Sequence, residues 1–158
     1  MSITTEAGVK ALLEGFPKQP NRIIGKPSYH TLNELKKDIK ANAASVACTL
    51  GGGNHGYLGA VLTPVEYATV HATAFVVPVN PGAIPVEVVG NAAVREQAIR
   101  VFTVQKKLHN EYTNVMSALR KQVMEAIDET YYKPLYNVNT GYNAVTLEAM
   151  LTYLFDRH

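Results

Sequence analysis

The longest unbroken pattern in the chain runs from Asn91 to Ile127. Asn91 is suited to cap a helix start, and neither Gly nor Pro follows within the stretch. Val94, Ala98, Val101, Leu108, Tyr112, Val115 and Leu119 recur in alternating steps of four and three, with Gln105 in the one polar slot. That spacing is a heptad-like seam facing a partner surface. Phe102, Met116, Val123 and Ile127 widen the stripe, as a helix in a globular core requires. An unbroken helix over this stretch would be roughly 55 Å long. A domain of this size is narrower. The helix is therefore expected either to break near Lys106, Lys107, His109 and Asn110 or to project from the body.

Shorter patterns flank it. Residues 4–14 fit a short helix stopped by Gly15. Residues 15–27 hold three prolines and two glycines, and read as an arm. We therefore divide the chain into an N-terminal segment, 1–27, and a helical domain, 28–158. The arm is equally suited to packing on a neighbour or at home. Thr31 and Glu34 form a capping box for a helix to Ala44, with Leu32, Leu35, Ile39 and Ala43 on its buried stripe. Lys36, Lys37 and Lys40 fall on the opposite side. Five glycines between 51 and 59 make a Gly-rich loop, where backbone must turn sharply or approach something closely. Thr63, Pro64 and Glu66 then open a helix reaching about His71. Residues 74–90 form a Pro-rich extended loop, in which prolines disfavour a central strand. After the long helix, Asp128 to Thr130 start a short helical piece that Pro134 interrupts or starts afresh, and Asn137 to Asn143 turn around Gly141. A last helix, Val145 to Asp156, carries Leu147, Met150, Leu151, Leu154 and Phe155 on one face. The expected fold is mainly α: a helical bundle with one long helix.

Composition narrows the class. At 158 residues the chain is long enough for one domain with a real core. No apolar run approaches the roughly 20 residues that span a bilayer, so no membrane partner is expected. The N-terminus has no basic start or apolar core of the signal-peptide type. One cysteine, Cys48, rules out an internal disulfide and fits a reducing, cytoplasmic compartment. The net charge of +2 is too small to argue for nucleic acid, but its distribution is uneven. Residues 1–50 and 91–127 each carry +3, while 51–90 and 128–158 each carry −2. Blocks of opposite sign allow self-association, positive region to negative.

Candidate chemistry is sparse. The Gly-rich loop lacks the GK[ST] and GxGxxG patterns of phosphate-binding loops, and no Lys or Arg occurs from 51 to 90. It reads as a structural turn. His55 and His71 fit a pair in space, with Cys48 near His55 in sequence. A Cys–His nucleophile needs an orienting group and an oxyanion hole, which nothing here specifies. A zinc site needs three or four ligands at typical spacing, and no such spacing occurs. Glu125, Asp128 and Glu129 read as helix-end caps, and Tyr131 and Tyr132 as packing or interface residues. No catalytic residue, metal, cofactor or small-molecule substrate is expected.

Residues 40–70, KANAASVACTLGGGNHGYLGAVLTPVEYATV, resemble a segment near the start of Gag-like polyproteins of copia-type LTR retrotransposons of microbial eukaryotes. Residues 118–158 also look like that family, whose last helix has paired apolar positions ending in an aromatic and Arg, here Leu147, Met150, Leu151, Leu154, Phe155 and Arg157. Two features depart from the pattern. The chain has no Trp, which is common in that last helix, and it has no CCHC zinc knuckle. The resemblance implies an all-α capsid domain that self-assembles into a shell or filament around element RNA, as one part of a longer polyprotein. On that reading the partner is a second copy, with RNA as a further one. Subunit contacts are expected at Phe16, Ile23 and Ile24 of the arm, at His55 and Tyr57 of the Gly-rich loop, and on the exposed side of the long helix. Lys36, Lys37, Lys40, Lys106 and Lys107 are the candidates to face RNA. Deleting 1–27 is expected to abolish assembly and spare the fold. The alternatives from other classes are a helical nucleic-acid-binding module using those lysines, and a small enzyme with a His55/His71 or Cys48 site.

Overall fold

Local capping chemistry sets where the helices begin. The computed structural model describes residues 6–48, 55–83 and 92–158. Its helices are α1 (Glu6–Gly15), α2 (Tyr29–Ser45), α3 (Pro64–Ala68), α4 (Ala92–Ala126) and α5 (Leu147–Arg157), with single 3-10 turns at Leu58–Ala60, Glu129–Tyr131 and Lys133–Leu135. No strand forms among the described residues; Asn137 and Gly141 make an isolated antiparallel bridge. The mainly α architecture expected from the pattern is thus observed. Asn91 and residues 51–54 and 84–90 lie outside the described residues, and with them the expected cap of α4 and parts of both loops.

The box that opens α2 lies three residues earlier than the sequence suggests. Ser28 is the cap: its hydroxyl accepts from the Thr31 N–H at 3.2 Å, and the Thr31 hydroxyl accepts from the Ser28 N–H at 2.8 Å. Thr31 therefore fills the third helical position, where Glu or Gln is usual, and Glu34 plays no part in the cap. At α3 the expected box is present. The Thr63 hydroxyl accepts from the Glu66 N–H at 3.2 Å, and Glu66 Oε1 accepts from the Thr63 N–H at 3.1 Å. Thr146 caps α5 by accepting from the Ala149 N–H at 3.1 Å.

The core lies where three faces meet. Leu32, Leu35, Ile39 and Ala43 of α2 are buried, as their spacing predicts. Leu147, Met150, Leu151 and Leu154 come from α5, and Val115, Met116, Leu119 and Val123 from α4. Tyr57, Val61 and Phe16 fill the space between. On α4 the apolar seam splits into two parts. From Asn110 onward its inner face is buried, whereas no residue between 92 and 109 is. The helix is continuous, about 52 Å long at 1.5 Å per residue. The polar run around Lys106–Asn110 marks the point where the buried face begins, not a break.

The described part of the N-terminal segment, residues 6–27, packs at home. Helix α1 lies against α4. Residues 16–27 follow as a strap across the bundle. Phe16 is in the core at 5% exposure, and Pro27 is buried. Asn42, fully buried on α2, holds the strap through its side-chain amide. Its Oδ1 accepts from the Lys18 N–H at 2.9 Å, and its Nδ2 donates to the Lys18 carbonyl at 3.0 Å and to Gln122 Oε1 at 2.8 Å. Further along, the Ile23 N–H donates to the Ala126 carbonyl at 2.6 Å, and Arg22 donates to the Glu125 carbonyl at 3.0 Å. These bonds satisfy the last carbonyls of α4 and fix the strap to its C-terminal end. Removing 1–27 would open the core, so the expectation that its deletion spares the fold is corrected.

Candidate functional site

The residues expected at subunit contacts divide into core and surface. Phe16 and Tyr57, at 5% and 1% exposure, pack inside the protein and cannot meet a neighbour in this fold, which corrects both assignments. Ile23 is half-buried. Ile24 is the opposite case, at 92% exposure. It follows the hydrogen-bonded Ile23 and precedes Gly25, whose φ of 75° lies in the left-handed region that glycine tolerates best. A large aliphatic side chain is thus presented to solvent on pinned backbone.

The second exposed surface is the N-terminal half of α4. Val101 and Val104 are 45% and 58% exposed, and Val94 is also exposed. Val76, Val77 and Val79 of the extended segment are exposed as well. That segment reaches α4 through Lys106, which donates to Asn80 Oδ1 at 3.3 Å. The same half-helix carries Arg95, Arg100, Lys106 and Lys107 against a single acid, Glu96.

The candidate RNA-facing lysines sit on two helices in different surroundings. Lys36 is drawn inward: its Nζ lies 3.7 Å from Glu66 and 5.5 Å from the centre of the Phe155 ring. Lys40 is half-buried and Lys37 exposed. On α4, Lys107 pairs loosely with Glu111 at 4.0 Å. Lys36 and Lys106 are engaged within the chain; Lys37 and Lys107 face solvent.

His55 and His71 do come together, their rings edge to face with centroids 5.5 Å apart. They belong to a larger aromatic layer in which Tyr67 meets both rings and Phe75 bridges Tyr57, Tyr67 and Tyr112. His71 Nδ1 accepts from the Thr73 N–H at 3.0 Å, which engages that nitrogen in the local turn. Burial pushes the Tyr57 hydroxyl well above the usual tyrosine range, with Cys48 and Glu111 adding to the effect. It stays protonated and is no base for the Cys48 thiol. Among the described residues no group of three or more His, Cys, Asp or Glu side chains is placed to hold a metal ion. The layer depends on two glycines. A Cβ on Gly56 would lie within 3.0 Å of the Ala43, Ala44 and Val46 carbonyl oxygens at the end of α2, and one on Gly59 would overlap the Phe75 side chain. Close approach is thus what these glycines of the loop permit.

Asn42 and Gln122 escaped the sequence reading, although a signal existed. Gln122 occupies the next slot of the α4 seam, three residues after Leu119, and Asn42 follows Ile39 on the α2 stripe. A polar side chain in an apolar slot points to a buried hydrogen-bonding partner. Tyr132 is a packing tyrosine: it is buried and donates to the Met124 carbonyl at 3.1 Å. Asp128 acts as a cap, accepting from the Thr130 N–H at 2.9 Å.

Comparison of the chain with protein-family models, with curated proteins and with solved structures gave no match. No helix among the described residues is long and apolar enough to cross a membrane.

Proposed function

We propose that this chain is a structural protein of the Gag-like capsid type, which assembles with copies of itself in the cytoplasm. The observation that carries the reading is the N-terminal half of α4. A helix about 52 Å long buries only its C-terminal half in its own core and presents an apolar seam, interrupted only by Gln105, on the other. Apolar side chains recurring at heptad spacing gain most when a partner covers them. Symmetry would multiply a weak contact of this kind into a lattice. The resemblance of residues 40–70 and 118–158 to copia-type Gag supports the same reading.

The experiment is electron microscopy of the purified protein with light scattering over a range of concentration, with and without RNA. Regular shells, tubes or filaments are expected, and Val101→Glu with Val104→Glu should leave a folded monomer. A wild-type protein that stays monomeric throughout, RNA included, overturns the proposal.

The cations of the α4 half favour a second reading, a helical nucleic-acid-binding module. Four cations against one acid on an exposed half-helix suit phosphate contacts. Binding to single-stranded RNA that weakens steeply with salt, in a protein that does not self-associate, would favour this reading over the first.

A further inference from the structure

We infer that the exposed half of α4 docks into the cleft between the strap and α2 of a second copy. The inference rests on the self-assembly reading and names the surface that receives the helix.

The cleft has a volume of about 430 Å³. Ile23, Ile24 and Leu35 supply its apolar lining, while Glu34 and Asp38 stand one helical turn apart on its α2 side. His30 also lines the cleft, and Arg22 is its one arginine. It is committed elsewhere, to the Glu125 carbonyl at 3.0 Å and to Asp128 at 3.8 Å. Glu34 and Asp38 take part in no ion pair among the described residues. The site is therefore apolar with an acidic side, and Ile24 stands exposed at it.

The occupant has the complementary chemistry. Val101 and Val104 form an exposed apolar ridge on α4, and Arg100 lies beside Val104, about 40° round the helix at 100° per residue, with Arg95 on the opposite side. Valines meeting Ile23 and Ile24 would remove apolar surface of both copies from water. Arg100 meeting Glu34 or Asp38 would set the register, and a forked guanidinium–carboxylate bond makes that register specific. The same half-helix placed against its own copy brings together two surfaces with four cations and one acid each. Charge thus favours α4 in the cleft over α4 on α4. The two patches differ, so the contact is heterologous: each copy offers a helix to one neighbour and a cleft to another. Such a contact propagates as a ring or a filament according to whether the rotation closes.

Cysteine cross-linking tests the contact directly. In a Cys48→Ser background, chains carrying Ile24→Cys are mixed with chains carrying Val101→Cys under mild oxidation. Both positions are exposed, so the fold is preserved. Disulfides between the two kinds of chain are expected to dominate. Dominant Val101–Val101 cross-links would overturn the cleft and leave self-assembly standing. So would assembly of the wild type with no cross-link of either kind. Heterotypic cross-links in a protein that never grows beyond dimers would support the contact and overturn the lattice. Charge exchange gives a second readout. Glu34→Arg with Asp38→Arg should weaken association by about tenfold or more, as loss of central contacts does. Mixing in Arg100→Glu chains should restore it in part; failure of both variants to change association would overturn the pairing.

Discussion

Asn42 ties three parts of the fold together, because its three hydrogen bonds join α2, the strap and α4. Replacing it by Leu leaves the Lys18 N–H and Gln122 Oε1 without their partner in a buried site. An unsatisfied buried polar group costs about 1–3 kcal/mol. Asn42→Leu should therefore destabilise the protein by about 2–4 kcal/mol in chemical denaturation, and a cycle with Gln122→Leu should show strong coupling. Additive effects would mean that the two amides act independently. Gly56→Ala is the second residue-scale case. It meets a positive φ of 54° and three backbone oxygens at once. The substitution should cost about 2 kcal/mol or more, above the roughly 1 kcal/mol of an unstrained Gly change. At this scale the sequence was only partly legible. The spacing of Leu32, Leu35, Ile39 and Ala43 showed which side chains are buried, since periodicity reports burial. It did not show that Phe16 and Tyr57 are core residues. Both lie in irregular chain, where no periodicity exists to separate inward from outward.

Elements were legible where their ends carry local chemistry. Thr63, Pro64 and Glu66 signalled α3 because both halves of the capping box lie within four residues. The start of α2 was misplaced because Thr31 is a good cap by type, yet here it is the partner of Ser28. Capping residues also give α3 a pH response. The Thr63 N–H bonded to Glu66 holds its carboxyl below its ordinary value, with Lys36 adding to the effect and partial burial opposing it. A carboxylate with a lowered pKa contributes stability that is fully present above its unfolded value. That contribution is lost as pH falls through the folded one. Thermal midpoints should therefore fall as the solution is acidified below about pH 4.5, part of the fall arising at Glu66. Glu66→Gln can still accept from the Thr63 N–H but does not titrate, so it should flatten that part of the curve. An unchanged acid limb in the variant would remove Glu66 from the account. The length of α4 was also legible, but its two environments were not. A heptad-like seam looks the same whether its cover comes from the same chain or another.

At the scale of the whole molecule, salt distinguishes how copies meet. If the arginine-bearing half of α4 enters the cleft beside Glu34 and Asp38, the contact joins a basic half-helix to an acidic wall at the surface. The Debye length shrinks from about 10 Å at 0.1 M to about 3 Å at 1 M salt, so raising sodium chloride across that range should dissolve the assembly. Chain-to-chain association through the valines alone behaves differently. Apolar burial is little affected by screening and is strengthened by salts such as sulfate that are excluded from the protein surface. Pairing of α4 with α4 should even improve with salt, because screening relieves repulsion between two halves that each carry four cations and one acid. Light scattering in sodium chloride therefore separates the two arrangements by sign. Particle mass that falls as salt rises agrees with basic helix against acidic cleft, whereas mass that rises with salt favours the seams of neighbouring copies on one another. The acid variant sharpens the comparison. Glu34→Gln with Asp38→Gln keeps the shape of the cleft and removes its charge, so any assembly that remains should lose most of its salt dependence.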